Sequence, residues 1–450
     1  MINTLYLPEL REDLAENNTV DLEAFCSALH PARAAEFMEG LNDDEVWSVL
    51  KFAEAERRVE ILGYFDHDRQ VHLVETQNPD EVAHLLEHYG ADDRVDILKD
   101  VSKEVVNQLL PKVPLHVRRD IQKLLSFPEG TAGAMMTSDF AKLGESLTAR
   151  QAIDELSRQA SQLETIYYVY VVDTAEHLKG VVSARQLLSA LSKPAMHLSD
   201  LIETNCFAVK VFDDQEDVAK IVAKYDLLAI PVVDAENRMV GIITHDDVID
   251  VVREEATEDA QRIGGVAPLQ ETYLKTPFLV LSWKRGIWLV VLFFAAVTTA
   301  MILDGYEDNA KNFSWLIAFI PLIASTGGNS GNQSATLIIT ALAAGDVTTR
   351  DWKRVVRREL ASGLLLGGFL SIAGFIVAAI FFAPTPLQAL VIPITILMVV
   401  TSGTIIGSTL PILFHRMGLE PALMSNPCVA GILDILGILI FFNVALTLLS

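Results

Sequence analysis

Residues 321–336 read Pro-Leu-Ile-Ala-Ser-Thr-Gly-Gly-Asn-Ser-Gly-Asn-Gln-Ser-Ala-Thr: three glycines, two asparagines, a glutamine and several hydroxyls inside an otherwise apolar run. Hydrocarbon cannot satisfy amides and hydroxyls, so in a bilayer these groups must face other helices or a water-filled path. Asn332 and Thr336 are one helical turn apart and share a face. Close packing through small residues accounts for the glycines but not for Asn329, Asn332 and Gln333 together. The second chemical feature is Asp434, the only ionisable residue of the apolar run 427–449. A carboxylate at membrane depth is costly and by default marks a functional position; the plainer alternative is a neutral, hydrogen-bonded acid. Asn426, Ala430 and Asp434 follow at successive helical turns, so an amide, a backbone carbonyl near Pro427 and a carboxylate share one face. Those oxygens suit a hard cation. Magnesium keeps several waters and takes few carboxylates, so one such acid per subunit of a symmetric pore is sufficient.

Five apolar segments position these residues: roughly 286–303, 313–343, 360–383, 387–414 and 427–449. Each is long enough to cross a hydrocarbon core of about 30 Å. Lys284 and Arg285 precede the first; Arg350, Lys353, Arg354, Arg357 and Arg358 separate the second from the third; His415 and Arg416 follow the fourth. The remaining connectors, 304–312 and 384–386, hold only Lys311. The positive-inside rule therefore places the N-terminal part in the cytoplasm and the C-terminus outside. Charge divides the same way. Of the net −24, residues 276–450 contribute eight acids against nine bases, so the whole surplus lies before residue 276. Such an acid surplus excludes nucleic acid as a partner. The acidic first residues lack the basic start and apolar run of a secretion signal. Cys26, Cys206 and Cys428 are far apart, excluding a disulfide scaffold and favouring a reducing compartment.

The soluble part divides in two. Residues 1–130 show helical periodicity, with short helices expected over 31–41, 43–53, 80–89 and 91–101. A weak repeat matches Pro31, Glu39, Asp44 and Leu50 to Pro79, Glu87, Asp92 and Leu98. Helical hairpins stacked into a small superhelix are expected. Residues 131–253 contain a second repeat: Val171-Val172-Asp173 with Gly180-Val181-Val182-Ser183 matches Val232-Val233-Asp234 with Gly241-Ile242-Ile243-Thr244. Each unit reads as helix (149–160, 214–225), strand, Asp-led turn, strand and helix (184–191, 246–253). This duplication resembles a tandem pair of CBS domains, an α/β module that senses ligands such as adenine nucleotides. Tyr168, Arg185 and Asp246 are the candidate nucleotide contacts, with ATP as the ligand. Residues 246–268 form a linking segment whose helix is strongly acidic: Asp246, Asp247, Asp250, Glu254, Glu255, Glu258 and Asp259 are opposed by Arg253 and Arg262. Residues 269–450 then make an all-α, five-helix transmembrane domain.

The order of acidic helical domain, CBS pair, linking helix and five spans resembles the MgtE family of magnesium channels and transporters. GGNSGNQSAT, SNP with Asp434 beyond it, and the KYD, HDDVIDVV and EATED strings carry the likeness. The resemblance implies a homodimer in the bacterial inner (cell) membrane with a pore on its two-fold axis. In it Asp434 and the Ala430 carbonyl would bind Mg²⁺ while Asn332, Thr336 and Asn426 line the path. It also implies closure by cytosolic Mg²⁺ bridging acidic surfaces. The matching positions are Asp92, Asp96, Glu216, Asp226, Asp247, Asp250, Glu255, Glu258, Asp259 and, in a loop where the family often has Asp, Glu420. Like charges repel without the ion, and a shared divalent cation removes that repulsion on compaction. A merely solvated acidic surface accounts less well for the concentration at 246–259.

Two other classes compete. His84-Leu-Leu-Glu87-His88 fits the inverted zinc-protease pattern and would suit a CBS-regulated, membrane-bound metalloenzyme. A sensor anchored by its spans would leave Asn332 and Asp434 without a role. Broken helices serve channels and carriers alike, and the oxygen donors accept Mg²⁺, Mn²⁺ and Co²⁺.

Overall fold

Ten short helices occupy the first 130 residues: Leu7–Glu16 (α1), Thr19–Ala28 (α2), Pro31–Met38 (α3), Asp43–Leu50 (α4), Ala55–Leu62 (α5), His67–Thr76 (α6), Pro79–Leu86 (α7), Ala91–Asp100 (α8), Lys103–Leu109 (α9) and Leu115–Leu124 (α10). The computed structural model describes residues 5–160, 163–269, 273–306, 311–421 and 426–449, in two units, Met1–Arg253 and Glu254–Ser450. The sequence repeat is visible as geometry. Pro31 and Pro79 open α3 and α7, where a missing N–H costs nothing, and Glu39 and Glu87 cap their C-termini. Helices end one to three residues before the expected limits because tight turns close them, Leu41 N–H bonding Met38 O and Ala53 N–H bonding Leu50 O. Asn42 and Glu45 exchange side-chain and backbone bonds in a capping box that starts α4. One arginine device recurs. Arg58, Arg94 and Arg118 each turn a guanidinium back onto carbonyls of the preceding turn, Arg94 reaching Tyr89 O at 2.7 Å.

After Ala132–Met135 (α11) come two three-stranded sheets of the same order. In the first, Phe140–Gly144 (β1) runs parallel to Thr165–Val172 (β2), which pairs antiparallel with Leu178–Ser183 (β3). In the second, Val209–Lys210 (β4), Ala229–Val233 (β5) and Met239–Thr244 (β6) repeat that pattern. Helices Ala149–Gln159 (α12), Ala184–Ala190 (α13), Gln215–Tyr225 (α14) and His245–Ile263 (α15) flank them. The hairpin turns of the two halves are stitched together, Leu178 N–H to Asn237 O and Met239 N–H to Glu176 O, each 3.0 or 3.1 Å. The sequence pattern gave the hairpins but not β1 and β4, which are short and carry no alternation of their own. The core of α1–α10 continues into Ala132, Met136, Val209, Val218 and Ile230, so the helical domain and the second CBS half share apolar interior.

The second unit contains five long helices: Phe278–Gly305 (α16), Ile320–Ala343 (α17), Trp352–Phe381 (α18), then after the single turn Pro386–Ala389 (α19), Val391–Arg416 (α20) and Asn426–Leu449 (α21). Four segments, 278–305, 349–381, 386–416 and 426–449, are long and apolar enough to cross a membrane. The fifth, α17, is kept out of that class by its glycines, amides and hydroxyls. Two expectations are corrected here. The apolar run 313–343 is not one helix: a 3-10 stretch, Lys311–Phe319, precedes α17, with Pro321 in its first turn. The third helix begins at Trp352 rather than near 360, which brings Glu359 inside it.

Packing explains how so polar a helix is tolerated. α17 lies against α20 and α21, and α18 lies against α20. Glycines set the spacing: a Cβ on Gly407 would stand 2.2 Å from Gly331 O, and one on Gly363 would stand 2.5 Å from Thr404 Oγ1. Backbones that close let small polar groups reach across.

Candidate functional site

In the membrane unit, two helices carry the oxygen-bearing face. α17 supplies Asn329, Asn332 and Thr336; α21 supplies Asn426, Ala430 and Asp434. They meet where Gly328 faces Ala430, a Cβ on the glycine falling 3.6 Å from the alanine's. Eight residues further along α17, Thr336 Oγ1 donates to Asn426 Oδ1 at 3.2 Å, joining two residues 90 apart in sequence. Ser425, which precedes Asn426 in the SNP string, lies outside the described residues. Asn332 Oδ1 is buried with no hydrogen-bond partner among the described residues, an acceptor left available in the bundle. Asp434 is half-exposed and accepts no hydrogen bond or ion pair among the described residues. The Ala430 carbonyl belongs to a regular helix; its second lone pair remains for a ligand. In the single chain Asn329 is exposed and Asn332, Thr336, Asn426 and Asp434 are half-buried, so the polar face is open on one side.

A second membrane carboxylate, Glu359, lies in the span 349–381, outside the run 427–449 in which Asp434 is alone. Glu359 Oε2 accepts a 2.6 Å hydrogen bond from Ser334, which is 4% exposed, and the Glu359 carbonyl accepts one from Thr404 at 3.0 Å. Sequence reasoning passed over it because Arg357-Arg358-Glu359 reads as an interfacial charge run. The helix start, once known, would have placed it inside.

In the soluble unit, carboxylates from distant segments converge. Asp92 and Asp93 open α8, Asp247 lies in the first turn of α15, and Glu164 precedes β2. A Cβ on Gly90 would stand 2.9 Å from Asp92 Oδ1, 3.4 Å from Glu164 Oε2 and 3.6 Å from Asp93 Oδ2. Loss of surrounding water, then repulsion from Asp247, Asp93 and Glu164, pushes Asp92 well above the usual carboxylate range. The same two causes raise Asp93. They push Glu164 up to about 7. Asp247 rises to about 6 although Thr244 donates to it at 2.6 Å. These acids resist being charged together, which is the electrostatic signature of a place that takes protons or cations. Asp92 and Asp247 are singled out by the sequence; Asp93 and Glu164 are not, and Glu164 lies in no repeat that would point to it. Beside them a cleft of about 520 Å³ is lined by Glu87, His88, Arg94, Asp139 and Glu164 among others.

The other acids are more dispersed. Asp96 pairs with Lys99 at 2.7 Å, Glu216 with Lys220 at 2.9 Å and Asp250 with Arg253 at 3.3 Å. Asp226 caps α14 in the left-handed conformation at φ 51°. In the membrane unit, Arg262 is shared by Glu258 and Glu420, which joins α15 to the loop before α21. Glu255 and Asp259 lie on the same helix. Tyr168 sits on β2, Arg185 in the first turn of α13 and Asp246 in the first turn of α15, with no hydrogen bond between any two of them. Among the described residues no three His, Cys, Asp or Glu side chains are placed to hold a bare metal ion. In the zinc-like string, α7 ends at Leu86 and His88 lies in the turn beyond it, with the His84 and His88 rings 5.2 Å apart and His84 3.8 Å from Glu87.

Comparison with known proteins agrees with this layout. The divalent cation transporter family (MgtE) matches residues 320–444, the MgtE intracellular N domain 29–130, and the CBS domain 132–193 and 198–254. The chain is 38% identical over 444 residues to the magnesium transporter MgtE of Thermus thermophilus, covering 98% of both. It is 36% identical to that of Enterococcus faecalis, covering 72% of this chain and 71% of the relative. Among solved structures, the soluble part of a magnesium transporter superposes with TM-score 0.52 at 31% identity, over 55% of this chain and 97% of that one. The cytosolic domain of the Mg²⁺ channel MgtE in complex with ATP superposes with TM-score 0.51 at 33% identity, over 54% and 98%.

Proposed function

The chain belongs to the MgtE family of divalent cation transporters, and from that membership we propose that it carries Mg²⁺ across the inner membrane through a pore closed by cytosolic Mg²⁺. The three relatives that match 72% or more of the chain are magnesium transporters, which are not enzymes. The carrying observation is the pairing of a polar helix with an acid-bearing one, Gly328 against Ala430 and Thr336 bonded to Asn426, with Asp434 unpaired on the same face. That face is open in one chain, and lipid could not cover it. A second copy across a two-fold axis would close it into a path lined by two Asp434 carboxylates. Two acids and several amide and carbonyl oxygens attract a hydrated divalent cation without stripping all its water. The N-terminal domains then lie in the cytoplasm and the C-terminus outside.

Asp92 and Asp247, with Asp96, Glu216, Asp226, Asp250, Glu255, Glu258, Asp259 and Glu420, serve as regulatory Mg²⁺ sites in this reading. The raised carboxylates around Gly90 support it: a divalent ion would convert their mutual repulsion into attraction. The exposed lysine and arginine pairs of the dispersed acids are weak, worth roughly 0–1 kcal/mol, so an ion can displace them. The CBS pair takes ATP or another adenine nucleotide, a reading supported by the solved relative bound to ATP. The test is Mg²⁺ entry into liposomes containing a Mg²⁺-sensitive dye. Wild type should load them and Asp434→Ala should not, both eluting as folded dimers; equal loading would refute the pore.

A further inference from the structure

Ser334 faces away from the polar path. At about 100° per residue it stands roughly 160° around α17 from both Asn332 and Thr336. On that opposite side Glu359 of α18 accepts its hydroxyl at 2.6 Å, the short distance typical of a hydroxyl on a carboxylate. The backbone at Glu359 is close-packed: Thr404 Oγ1 of α20 lies 3.0 Å from both the Glu359 and the Thr401 carbonyls, an approach that needs Gly363, whose Cβ would meet Thr404 Oγ1 at 2.5 Å. Ser334 and Thr404 are 4% and 2% exposed. α17 is thus gripped on two sides, by Glu359 through Ser334 and by Asn426 through Thr336. A weaker third bond, Ser330 Oγ to the Val400 carbonyl of α20 at 3.2 Å, and the close approach of Gly331 to Gly407 and Leu433 add to its contacts.

We propose that Glu359 is a positioning residue for ion passage: by holding Ser334 it sets the rotation of α17 that turns Asn332 and Thr336 into the path. The inference rests on reading those two residues as path-lining. The carboxylate acts as an acceptor, so its charge is dispensable and its oxygen is not. The experiment measures half-saturating Mg²⁺ and maximal rate per folded dimer for the full chain in liposomes. Ser334→Ala and Glu359→Leu should each raise the half-saturating concentration about tenfold. The double variant should be no worse than either alone, and Glu359→Gln, which keeps an acceptor, should stay within about twofold of wild type. Ser334→Ala removes one hydroxyl and keeps the test decisive if Glu359→Leu does not fold. Wild-type half-saturation in Ser334→Ala overturns the proposal, as do multiplying effects in the double variant or a Glu359→Gln as impaired as Glu359→Leu. An Asn332→Ala, Thr336→Val arm separates the two readings. If it shifts half-saturation and Ser334→Ala does not, positioning alone falls; if it shifts nothing, the path-lining reading falls and positioning with it.

Discussion

Asp434 owes its assigned role to charge and shape together, and the two separate experimentally. Asp434→Asn keeps an oxygen on the same face but weakens attraction for a divalent ion, so an intermediate flux is expected between wild type and the inactive Asp434→Ala. A second residue-level prediction concerns spacing. Gly407→Ala drives a methyl into Gly331 O, which a Cβ would approach to 2.2 Å, so α17 and α20 must separate. A cost of about 1–3 kcal/mol is expected, read as a lower melting temperature in detergent; an unchanged melting temperature would show that the helices part freely. Residues at this scale were legible where they violated their surroundings: Asn332, Thr336, Asn426 and Asp434 announce themselves as polar groups in apolar runs. Glu359 was hidden by its neighbours Arg357 and Arg358, and Glu164 by the absence of any repeat. Nothing local marks a residue whose importance comes from a partner 25 positions away, as Ser334 is from Glu359.

Among the elements, α8 and α15 carry most of the acids proposed as regulatory. Glu164 and Asp247, at about 7 and about 6, bind protons more tightly folded than unfolded. The sign follows directly. Their stabilising contribution is complete below the ordinary carboxylate range and is lost as pH rises through 6 to 7. Without divalent cations the full-length protein should therefore resist thermal unfolding better at pH 5.5 than at pH 8, and Mg²⁺ should flatten that dependence by replacing the protons. A stability that rises with pH in the absence of Mg²⁺ would show that these acids do not crowd one another. Asp92→Asn with Asp247→Asn should stabilise the Mg²⁺-free state and weaken inhibition by internal Mg²⁺, leaving conduction intact. Inhibition identical to wild type would reject their regulatory role. Removing residues 1–130 outright is a poorer probe, because the helical core continues into Met136, Val209 and Ile230 and would be left open. The hairpins of the CBS pair were legible from their β-branched runs and Asp-led turns. Strands β1 and β4 were not, since their pairing is parallel and set by tertiary contact.

At the scale of the whole molecule, the charge division is the organising fact. The whole acid surplus precedes residue 276, while the chain beyond it is close to neutral. At physiological salt the Debye length is about 8 Å, and the acids gathered around Gly90 lie well inside that distance of one another. Only a tightly associated cation or a proton removes their repulsion. α15 runs unbroken from His245 to Ile263, and its last turn shares Arg262 with Glu420 of the loop that leads to α21. Several weak sites acting on one such helix would make closure cooperative. The most direct measurement is a planar-bilayer recording of the wild-type protein with Mg²⁺ as the only permeant cation, while free Mg²⁺ on the cytosolic face is raised stepwise. A Mg²⁺ current that falls steeply with cytosolic Mg²⁺, and does not fall when NaCl is raised to the same ionic strength, is the predicted result. No Mg²⁺ current, or one that NaCl closes equally well, would contradict it.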